Sequence, residues 1–427
     1  RPTDPLFTIE AGSAAGLGKL RSNSPSARRW IFSFKEKSFL YINVKNTIMI
    51  INVFLFLFNK KELLKMLKHK DHFHGSDLEL IEKMYGIKKE EIVSFSANVN
   101  PLGISPKLAS DLSDHIHCIE TYPDRDYADL KKSIASYASC DEKNIIVGNG
   151  STELISLFIE VTAPKKAMIL GPTYSEYERS ITLSGGRTSY YPLREENNFE
   201  LPVDDFIEHL SDDLDLIVLC NPNNPTSSVI TNKDMRRILD SCKEHDIYVM
   251  VDETYVEFAK NEPEITSIPL TADYNNIIVL RGTSKFFAAP GLRLGYAVTG
   301  NEDILKEINQ KKNPWMISSL AEEAGKIMFS DADYINATKD LIFSERKRLF
   351  DIFKNSTVFK PYYPNANFML LQILTPSEDS HSLFEKCIRE KLMIRDCSTF
   401  PFLSDRYIRI CFMKPSDNDR LLKVLLP

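Results

Sequence analysis

The chain has 427 residues, 43% of them hydrophobic, and a formal net charge of -6 at pH 7. This size and composition predict a globular protein with room for two domains. Residues 1–65 hold 11 Lys/Arg against 4 Asp/Glu, whereas the rest holds 42 against 55. An acidic body argues against nucleic acid as the main partner. The seven scattered cysteines form no C-x-x-C pair, which excludes the usual zinc and redox motifs and indicates a reducing cytosol.

The N-terminal segment, residues 1–65, differs in composition from the rest of the chain. It is rich in Ser, Gly and Ala before an apolar run of 13 residues, 46–58 (NTIMIINVFLFLF). This run is shorter than the roughly 20 residues that span a bilayer, and no small-residue cleavage site follows it. Three interpretations stay open: an unrelated leader, a targeting or membrane-surface segment, and a packing extension. We expect the main body to begin near Met66.

Apolar runs alternate with helical patterns from Asn144 onward. This alternation predicts an α/β fold, a three-layer large domain over residues 116–313 with a mostly parallel sheet covered by helices on both faces. Residues 232–245 show the helical spacing of an amphipathic crossover, with a polar cap at Thr231 or Asn232. The predicted strands are 144–148, 166–170, 215–220, 247–251, 276–280 and 294–298.

The pattern changes after about Pro314. A long helical stretch is followed by strand-like pieces at 366–373 (ANFMLLQI) and 407–412 (YIRICF). We interpret residues 314–427 as a smaller α+β domain, which residues 66–115 join in space.

A polar motif follows each of the first five predicted strands. Because ligands bind beyond the carboxyl ends of strands in open α/β sheets, these motifs predict one shared site. Taken singly, each has an ordinary explanation: a helix cap, strand-end packing, a turn, or a solvated lysine. The motifs are GNGSTE (148–153), PTYSEY (172–177), NPNNPT (221–226), VDETY (251–255) and RGTSKFFAAPGLRLGY (281–296).

Together the motifs supply a lysine nucleophile, an acid, an amide, two aromatic hydroxyls and a cluster of hydroxyls with an arginine. Pyridoxal phosphate needs such a set: an amine for its aldehyde, an anion opposite its ring nitrogen, hydrogen bonds to its 3-oxygen, an aromatic face and a phosphate cup. The residues are Lys285, Asp252, Asn224, Tyr174, Tyr255, Ser151, Thr152, Ser284 and Arg293.

The ordered motifs resemble those of the fold-type I aminotransferase superfamily over residues 72–427, in the branch of histidinol-phosphate aminotransferase and threonine-phosphate decarboxylase. The resemblance implies that Lys285 forms the Schiff base with the cofactor and later moves the proton. It also implies that Asp252 pairs with the pyridinium nitrogen and that Tyr255 and Asn224 hydrogen-bond the 3-oxygen.

The resemblance implies further contacts to the cofactor. Tyr174 would stack on its ring, and its phosphate would be held by Ser151, Thr152, Ser284 and Arg293. Tyr122 in TYPD matches a tyrosine that reaches the cofactor of the neighbouring subunit, which implies a homodimer.

Substrate contacts are implied by the same resemblance. Arg409 in YIRICF matches an arginine that grips the substrate carboxylate, although a surface strand arginine is the ordinary alternative. Arg395, Asn98 and Asn100 are candidates for binding the distal part of the substrate, such as a phosphate. The usual NPTG of the family continues here as NPTS, with Ser227 in place of glycine.

Three segments favour the decarboxylase over the aminotransferase: HGSD (74–77), FSANVNPLG (95–103) and IRDCSTF (394–400). The decarboxylase usually has a second glycine where this chain has Ser76. We therefore expect decarboxylation, with a role in corrinoid side-chain synthesis, and keep transamination of histidinol phosphate as the alternative.

Two other classes stay open. A cofactor-binding regulator without catalysis usually carries a DNA-binding domain, and residues 1–65 contain no convincing helix-turn-helix pattern. A membrane-anchored form of the same enzyme depends on residues 46–58 alone. We therefore expect a cytoplasmic enzyme without a membrane or nucleic-acid partner.

Overall fold

The computed structural model describes residues 77–426 and two earlier strands, β1 (Trp30–Ser33) and β2 (Phe39–Ile42), which pair antiparallel. The chain divides into two compact units, Arg1–His74 and Gly75–Pro427.

Two of the predictions concern segments outside the described residues. These are the apolar run 46–58 and most of the HGSD motif, including Ser76. Within the described part of the chain, no helix combines the length and the apolar character needed to cross a membrane.

The main unit alternates helices and strands. Its helices are α1 (Leu78–Tyr85), α2 (Pro106–Asp114), α3 (Ala128–Ala138), α4 (Gly150–Thr162), α5 (Glu176–Leu183), α6 (Val203–Glu208), α7 (Asn232–Glu244), α8 (Glu262–Ile265), α9 (Glu302–Lys311), α10 (Ser319–Met328), α11 (Ala332–Lys354), α12 (Ser380–Arg389) and α13 (Pro415–Leu425). Its strands are β3 (Val93–Ser94), β4 (Ile145–Asn149), β5 (Lys166–Gly171), β6 (Arg187–Pro192), β7 (Leu216–Cys220), β8 (Tyr248–Asp252), β9 (Ile277–Gly282), β10 (Leu294–Val298), β11 (Phe359–Pro361), β12 (Phe368–Ile373), β13 (Leu392–Met393), β14 (Arg395–Asp396) and β15 (Tyr407–Cys411).

Seven strands form the large sheet, in the order β4-β10-β9-β8-β7-β5-β6. β10 runs antiparallel to both of its neighbours, while the other adjacent pairs are parallel. This confirms the predicted α/β class with a mostly parallel sheet. All six predicted strands form within two residues of their expected bounds. The edge strand β6 was not predicted because its sequence, RTSYYP, is half polar and only Tyr191 is fully buried.

The core forms because the central strands are mostly apolar, are buried along almost their whole length, and need cover on both faces. On one face, Leu154 and Phe158 of α4, Ile181 of α5 and Ile304 of α9 pack against alternate strand residues. The remaining buried strand residues point the other way, and α7 contacts β8. Thr231, one of the two predicted cap residues, caps α7. Its side chain accepts a hydrogen bond from the backbone N–H of Asp234, the third residue of the helix.

The C-terminal part contains a four-stranded antiparallel sheet in the order β11-β12-β15-β14. β13 pairs in parallel with β3, so residues 93–94 do meet the C-terminal part of the chain. The long helical stretch is two helices, α10 and α11, and Asp331 caps the second. The division of the chain into domains at residues 65, 115 and 314 stays a prediction.

Candidate active site

The carboxyl ends of β4, β5, β7, β8 and β9 meet at one edge of the large sheet. Each of the five polar motifs begins there. Because β10 runs in the opposite direction, its first residue lies at this same edge. Arg293 immediately precedes β10, so it lies at the same edge as the side chains that follow the other five strands.

Lys285 lies in the loop after β9, partly buried. Its Nζ donates a 2.7 Å hydrogen bond to the carbonyl of Ala97, and its own carbonyl accepts one of 3.0 Å from Asn100 N–H. Burial, assisted by the positive charges of Arg409 and Arg293, lowers the pKa of Lys285 from 10.5 to about 8. A lysine that loses its proton this readily can act as a nucleophile.

Asp252 is buried at the end of β8. Its Oδ2 accepts a 2.7 Å hydrogen bond from the hydroxyl of Tyr177, and its Oδ1 accepts one of 2.9 Å from the backbone N–H of Thr254. These donors fix the carboxylate and leave an anion at the floor of the site. Tyr177 was not predicted, although the second tyrosine of PTYSEY was the available signal.

Arg409 enters the site from β15 and is buried. Its Nη1 donates to Oδ1 of Asn224, and its Nη2 donates to the carbonyl of Ser96. Its Nε is buried and has no hydrogen-bond partner among the described residues. The guanidinium therefore retains a donor for an anionic ligand.

Tyr255 and Asn98 adjoin this arginine. Asn98 Nδ2 donates to the Tyr255 hydroxyl at 3.4 Å, and Asn98 Oδ1 is buried without a partner in the described part of the chain. The Phe368 ring lies against both Tyr255 and Arg409. Its centroid is 4.9 Å from that of Tyr255 and 5.2 Å from the Arg409 guanidinium carbon.

The start of α4 forms an open cradle. Gly150 has a left-handed φ of +77°, and a Cβ there would lie 2.4 Å from Arg293 Nη2. A Cβ on Gly295 of β10 would lie 2.6 Å from the backbone nitrogen of Ser151. Asn149 makes no side-chain cap, so an anion can meet the N–H groups of the first helical turn.

Thr152 and Ser284 are the other hydroxyls that were predicted to hold the cofactor phosphate. Both are partly buried, Thr152 in the first turn of α4 and Ser284 directly before Lys285. Burial raises the pKa of Tyr174 to about 12, and a hydrogen bond to Thr152 opposes that rise. The Tyr174 ring meets that of Tyr177 edge-on at 5.5 Å. The structure thus brings Tyr174, the predicted ring-stacking residue, into hydrogen-bond contact with Thr152 of the predicted phosphate set.

Arg395 lies opposite Arg409 in the pairing of β14 with β15. It is buried, its Nη2 donates to Thr399 Oγ1 at 2.9 Å, and its guanidinium covers the Phe400 ring at 5.1 Å. Burial and the neighbouring charge of Arg409 lower the pKa of Arg395 to about 10. Two buried arginines at directly opposite positions of adjacent strands favour a ligand with more than one negative charge.

Asn100 and Tyr122, two further predicted residues, contact other parts of the protein. The Asn100 side chain donates to the Phe286 carbonyl at 2.8 Å and to Tyr334 at 2.9 Å, and accepts from Leu102 N–H at 3.0 Å. Both ends of its amide are engaged inside the protein, which favours a structural role over substrate contact. Tyr122, which was predicted to reach the cofactor of a neighbouring subunit, is 78% exposed, and its ring centroid lies 4.6 Å from that of Trp315.

Behind Asp252 lies a buried ionic cluster. Arg281 donates from Nε and Nη2 to Glu253 Oε2 at 3.1 and 3.0 Å. Glu257 is also buried, its Oε2 has no hydrogen-bond partner in the described chain, and burial raises its pKa to about 8. The cluster ties the end of β9 to the DETY segment that carries Asp252.

Residues 90–425 match the aminotransferase class I and II family. The chain belongs to this family. It is 33% identical to the threonine-phosphate decarboxylase of Salmonella typhimurium over 82% of this chain and 95% of that one. It is 31% identical to the histidinol-phosphate aminotransferase of Methanocaldococcus jannaschii over 84% and 95% of the two chains. The crystal structure of the histidinol-phosphate aminotransferase from Clostridium acetobutylicum superposes with a TM-score of 0.72 at 31% identity, over 78% and 97% of the chains.

This aminotransferase-family chain is a pyridoxal-phosphate-dependent enzyme, as predicted. The residues present fit the cofactor. Lys285 provides an amine of lowered pKa, and Asp252 provides a fixed carboxylate. The start of α4, where glycines leave space beside Arg293, can bind an anion such as the cofactor phosphate. Whether each side chain makes the individual contact predicted for it stays a proposal.

Proposed function

We propose that the enzyme decarboxylates a phosphorylated amino acid of the threonine O-phosphate type. The observation that carries this proposal is the buried pair Arg395 and Arg409 on adjacent strands. Threonine O-phosphate has two anionic groups, an α-carboxylate and a phosphate, and each guanidinium can bind one of them. The similarity to a protein named threonine-phosphate decarboxylase supports the same substrate class.

The bound cofactor supplies an electron sink for the charge left on the substrate α-carbon. Arg409, held by Asn224 and Ser96, fixes the α-carboxylate through its remaining donors. The bond from the α-carbon to the carboxylate breaks, and carbon dioxide leaves without the electron pair. Lys285 then gives a proton to the α-carbon, a role that suits an amine with a pKa of about 8.

Transamination of histidinol phosphate is the second candidate. Its supporting observation is the 31% identity to the Methanocaldococcus jannaschii enzyme of that name. In that reaction Lys285 would remove the α-proton instead, and the arginine pair would bind the substrate phosphate and later the carboxylates of a 2-oxo acid. Both reactions require the same amine and the same fixed anion.

The enzyme would act as a cytoplasmic homodimer. Tyr122, Trp315 and Ile119 are exposed apolar side chains, and an exposed cluster of this kind suits contact with a second copy.

A decarboxylated threonine phosphate is an amino alcohol phosphate, and this product would place the enzyme in the synthesis of the corrinoid side chain of cobalamin.

The deciding experiment supplies the cofactor-loaded enzyme with threonine O-phosphate and follows carbon dioxide and 2-oxo acid. Carbon dioxide released without oxo acid supports the decarboxylase. Unphosphorylated threonine is the matched control and should react poorly. If no carbon dioxide appears while histidinol phosphate and 2-oxoglutarate yield glutamate, the enzyme is an aminotransferase and the first proposal is wrong.

A further inference from the structure

Ser227 stands where the resembling family has glycine, in the turn that also carries Asn224. It is buried, and its φ of 62° lies in the left-handed region that favours glycine. The turn is well bonded: Ser227 N–H donates to the Asn223 carbonyl at 2.7 Å. A side chain that persists in an unfavourable backbone conformation must make contacts that offset the strain.

The hydroxyl of Ser227 makes such contacts with the segment that enters β12. Its Oγ accepts hydrogen bonds from the backbone N–H groups of Asn365 at 2.9 Å and Ala366 at 2.8 Å. Its carbonyl accepts a further one from Asn365 Nδ2 at 3.0 Å. From the other side, Arg346 donates to the Asn365 carbonyl at 2.9 Å. The junction of residues 365–366 is thus bonded through its N–H and C=O groups alike.

This junction leads directly to the substrate arginine. Two residues beyond Ala366, the Phe368 ring lies against the Arg409 guanidinium at 5.2 Å. Arg409 donates in turn to Asn224, three residues before Ser227 in the same turn. The contacts therefore form a closed ring, in which the turn holds Arg409 at one point and the strand beside Arg409 at another.

We infer that Ser227 is a positioning residue, which fixes Arg409 against Asn224 by binding the 365–366 junction. Glycine would adopt this left-handed conformation without strain. Ser227 offsets the strain with the two hydrogen bonds that its hydroxyl accepts from Asn365 and Ala366. The identity of the group that Arg409 holds, a substrate carboxylate, rests on the proposed function. The bonding of the junction does not.

The test compares Ser227→Gly, which removes the hydroxyl and relieves the left-handed strain, with the wild-type holoenzyme. Amide hydrogen exchange at Ala366 should accelerate roughly tenfold or more when its acceptor is lost. Exchange at Asn365 should accelerate less, because its N–H also donates to the Ser227 backbone carbonyl at 3.3 Å. KM for threonine O-phosphate should rise on the order of tenfold without a comparable fall in kcat, because the carboxylate that Arg409 binds loses its charge as carbon dioxide forms. Ser227→Ala should behave in the same way and also unfold at a lower temperature.

Ser228→Ala is the matched control, since its hydroxyl pairs with Thr226 at 2.8 Å in the same turn. It should leave exchange at 365–366 and KM at wild-type values. Unchanged exchange in Ser227→Gly, or faster exchange with an unchanged KM, would overturn the inference. If the wild type turns over neither threonine O-phosphate nor histidinol phosphate, the proposed function is wrong. The exchange rates alone then decide the role of Ser227.

Discussion

The hydroxyl of Tyr177 donates a 2.7 Å hydrogen bond to Oδ2 of Asp252, and both side chains are buried. Thr254 binds the other oxygen of the same carboxylate. Hydrogen bonds to a carboxylate are stronger than those between neutral groups, so Tyr177 and Thr254 together fix the orientation of Asp252. The floor of the active site therefore depends on a residue of α5, the helix that follows β5, and β5 lies two strands from β8 in the sheet.

Tyr177→Phe removes this donor and keeps the ring. We expect the affinity for pyridoxal phosphate and kcat each to fall roughly tenfold, because one hydrogen bond to a charged acceptor is lost while Thr254 remains. Cofactor retention, followed by visible absorbance during dialysis, measures the first effect. Tyr190→Phe, which loses a bond to Glu178 instead, serves as control. Wild-type retention and turnover in Tyr177→Phe would contradict the assignment.

Which side chains follow which strands could be predicted from the sequence, because the strands are short apolar runs bounded by polar motifs. Lys285, Asp252 and Arg293 therefore fell at one edge as expected. The hydrogen-bond partners of the site residues could not be predicted. Arg409 donates to the Ser96 carbonyl and Lys285 to the Ala97 carbonyl, and only the tertiary fold determines where that backbone segment lies.

The side-chain partners of Asn100 and Ser227 show the same limit. Asn100 was predicted to bind the distal part of the substrate, and the structure places Tyr334 and Thr338 of α11 beside its amide. Ser227 stands where the family has glycine. Its hydroxyl accepts a hydrogen bond from Asn365, which is 138 positions away in the chain and beyond any local pattern.

Lys285 should govern the pH dependence of cofactor loading. The neutral amine is the reactive form, so the loading rate of the apoenzyme should rise with pH and reach half its maximum near pH 8, well below the 10.5 of a free lysine. Arg409→Met removes a positive charge that lowers this pKa, and the midpoint should therefore move to higher pH. Stopped-flow absorbance measures both profiles. Loss of the bound chromophore in Lys285→Ala is the accompanying control, and a wild-type midpoint near 10 would refute the perturbed lysine.

Glu257 should make stability depend on pH. Burial raises its pKa in the folded protein to about 8, above the 4.5 of an unperturbed glutamate. Between these values the unfolded chain has released the proton that the folded protein retains, so stability falls as pH rises through that window. Glu257→Gln removes this effect. Its free energy of unfolding relative to wild type should increase by on the order of 2 kcal/mol between about pH 5 and pH 8.

Urea unfolding of both proteins at the two pH values measures this change. The exposed Glu264, which accepts a bond from Asn261, gives the control Glu264→Gln, for which the difference from wild type should stay constant. A constant difference for Glu257→Gln as well would show that Glu257 is ionised in the folded protein.

Arg395 should set the preference for a phosphorylated substrate. Arg395→Met keeps an unbranched apolar stem but removes the guanidinium, including its contact with the Phe400 ring. The ratio of kcat/KM for threonine O-phosphate to that for threonine should fall roughly 100-fold, the scale of a lost charge-assisted bidentate contact. Steady-state carbon dioxide release with each substrate gives the ratio. An unchanged ratio with lower activity on both substrates would assign Arg395 to folding rather than selection.

Tyr122 offers a test of a shared active site, since it is exposed on one chain and expected to contact the cofactor of another. Tyr122→Ala and Lys285→Ala should each be impaired as homodimers. In a mixed dimer, one site combines the intact Lys285 of the first subunit with the intact Tyr122 of the second, whereas the other site lacks both.

Mixing the two variants under conditions that exchange subunits should therefore restore about a quarter of wild-type turnover at equilibrium, because half of the dimers are mixed and each has one complete site. Sedimentation velocity establishes that dimers form. Tyr122→Ala mixed with wild type is the control for exchange itself. If the Tyr122→Ala and Lys285→Ala mixture shows only the sum of the separate activities, Tyr122 acts within its own chain or has no part in the site, and the exposed cluster it forms with Trp315 serves assembly alone.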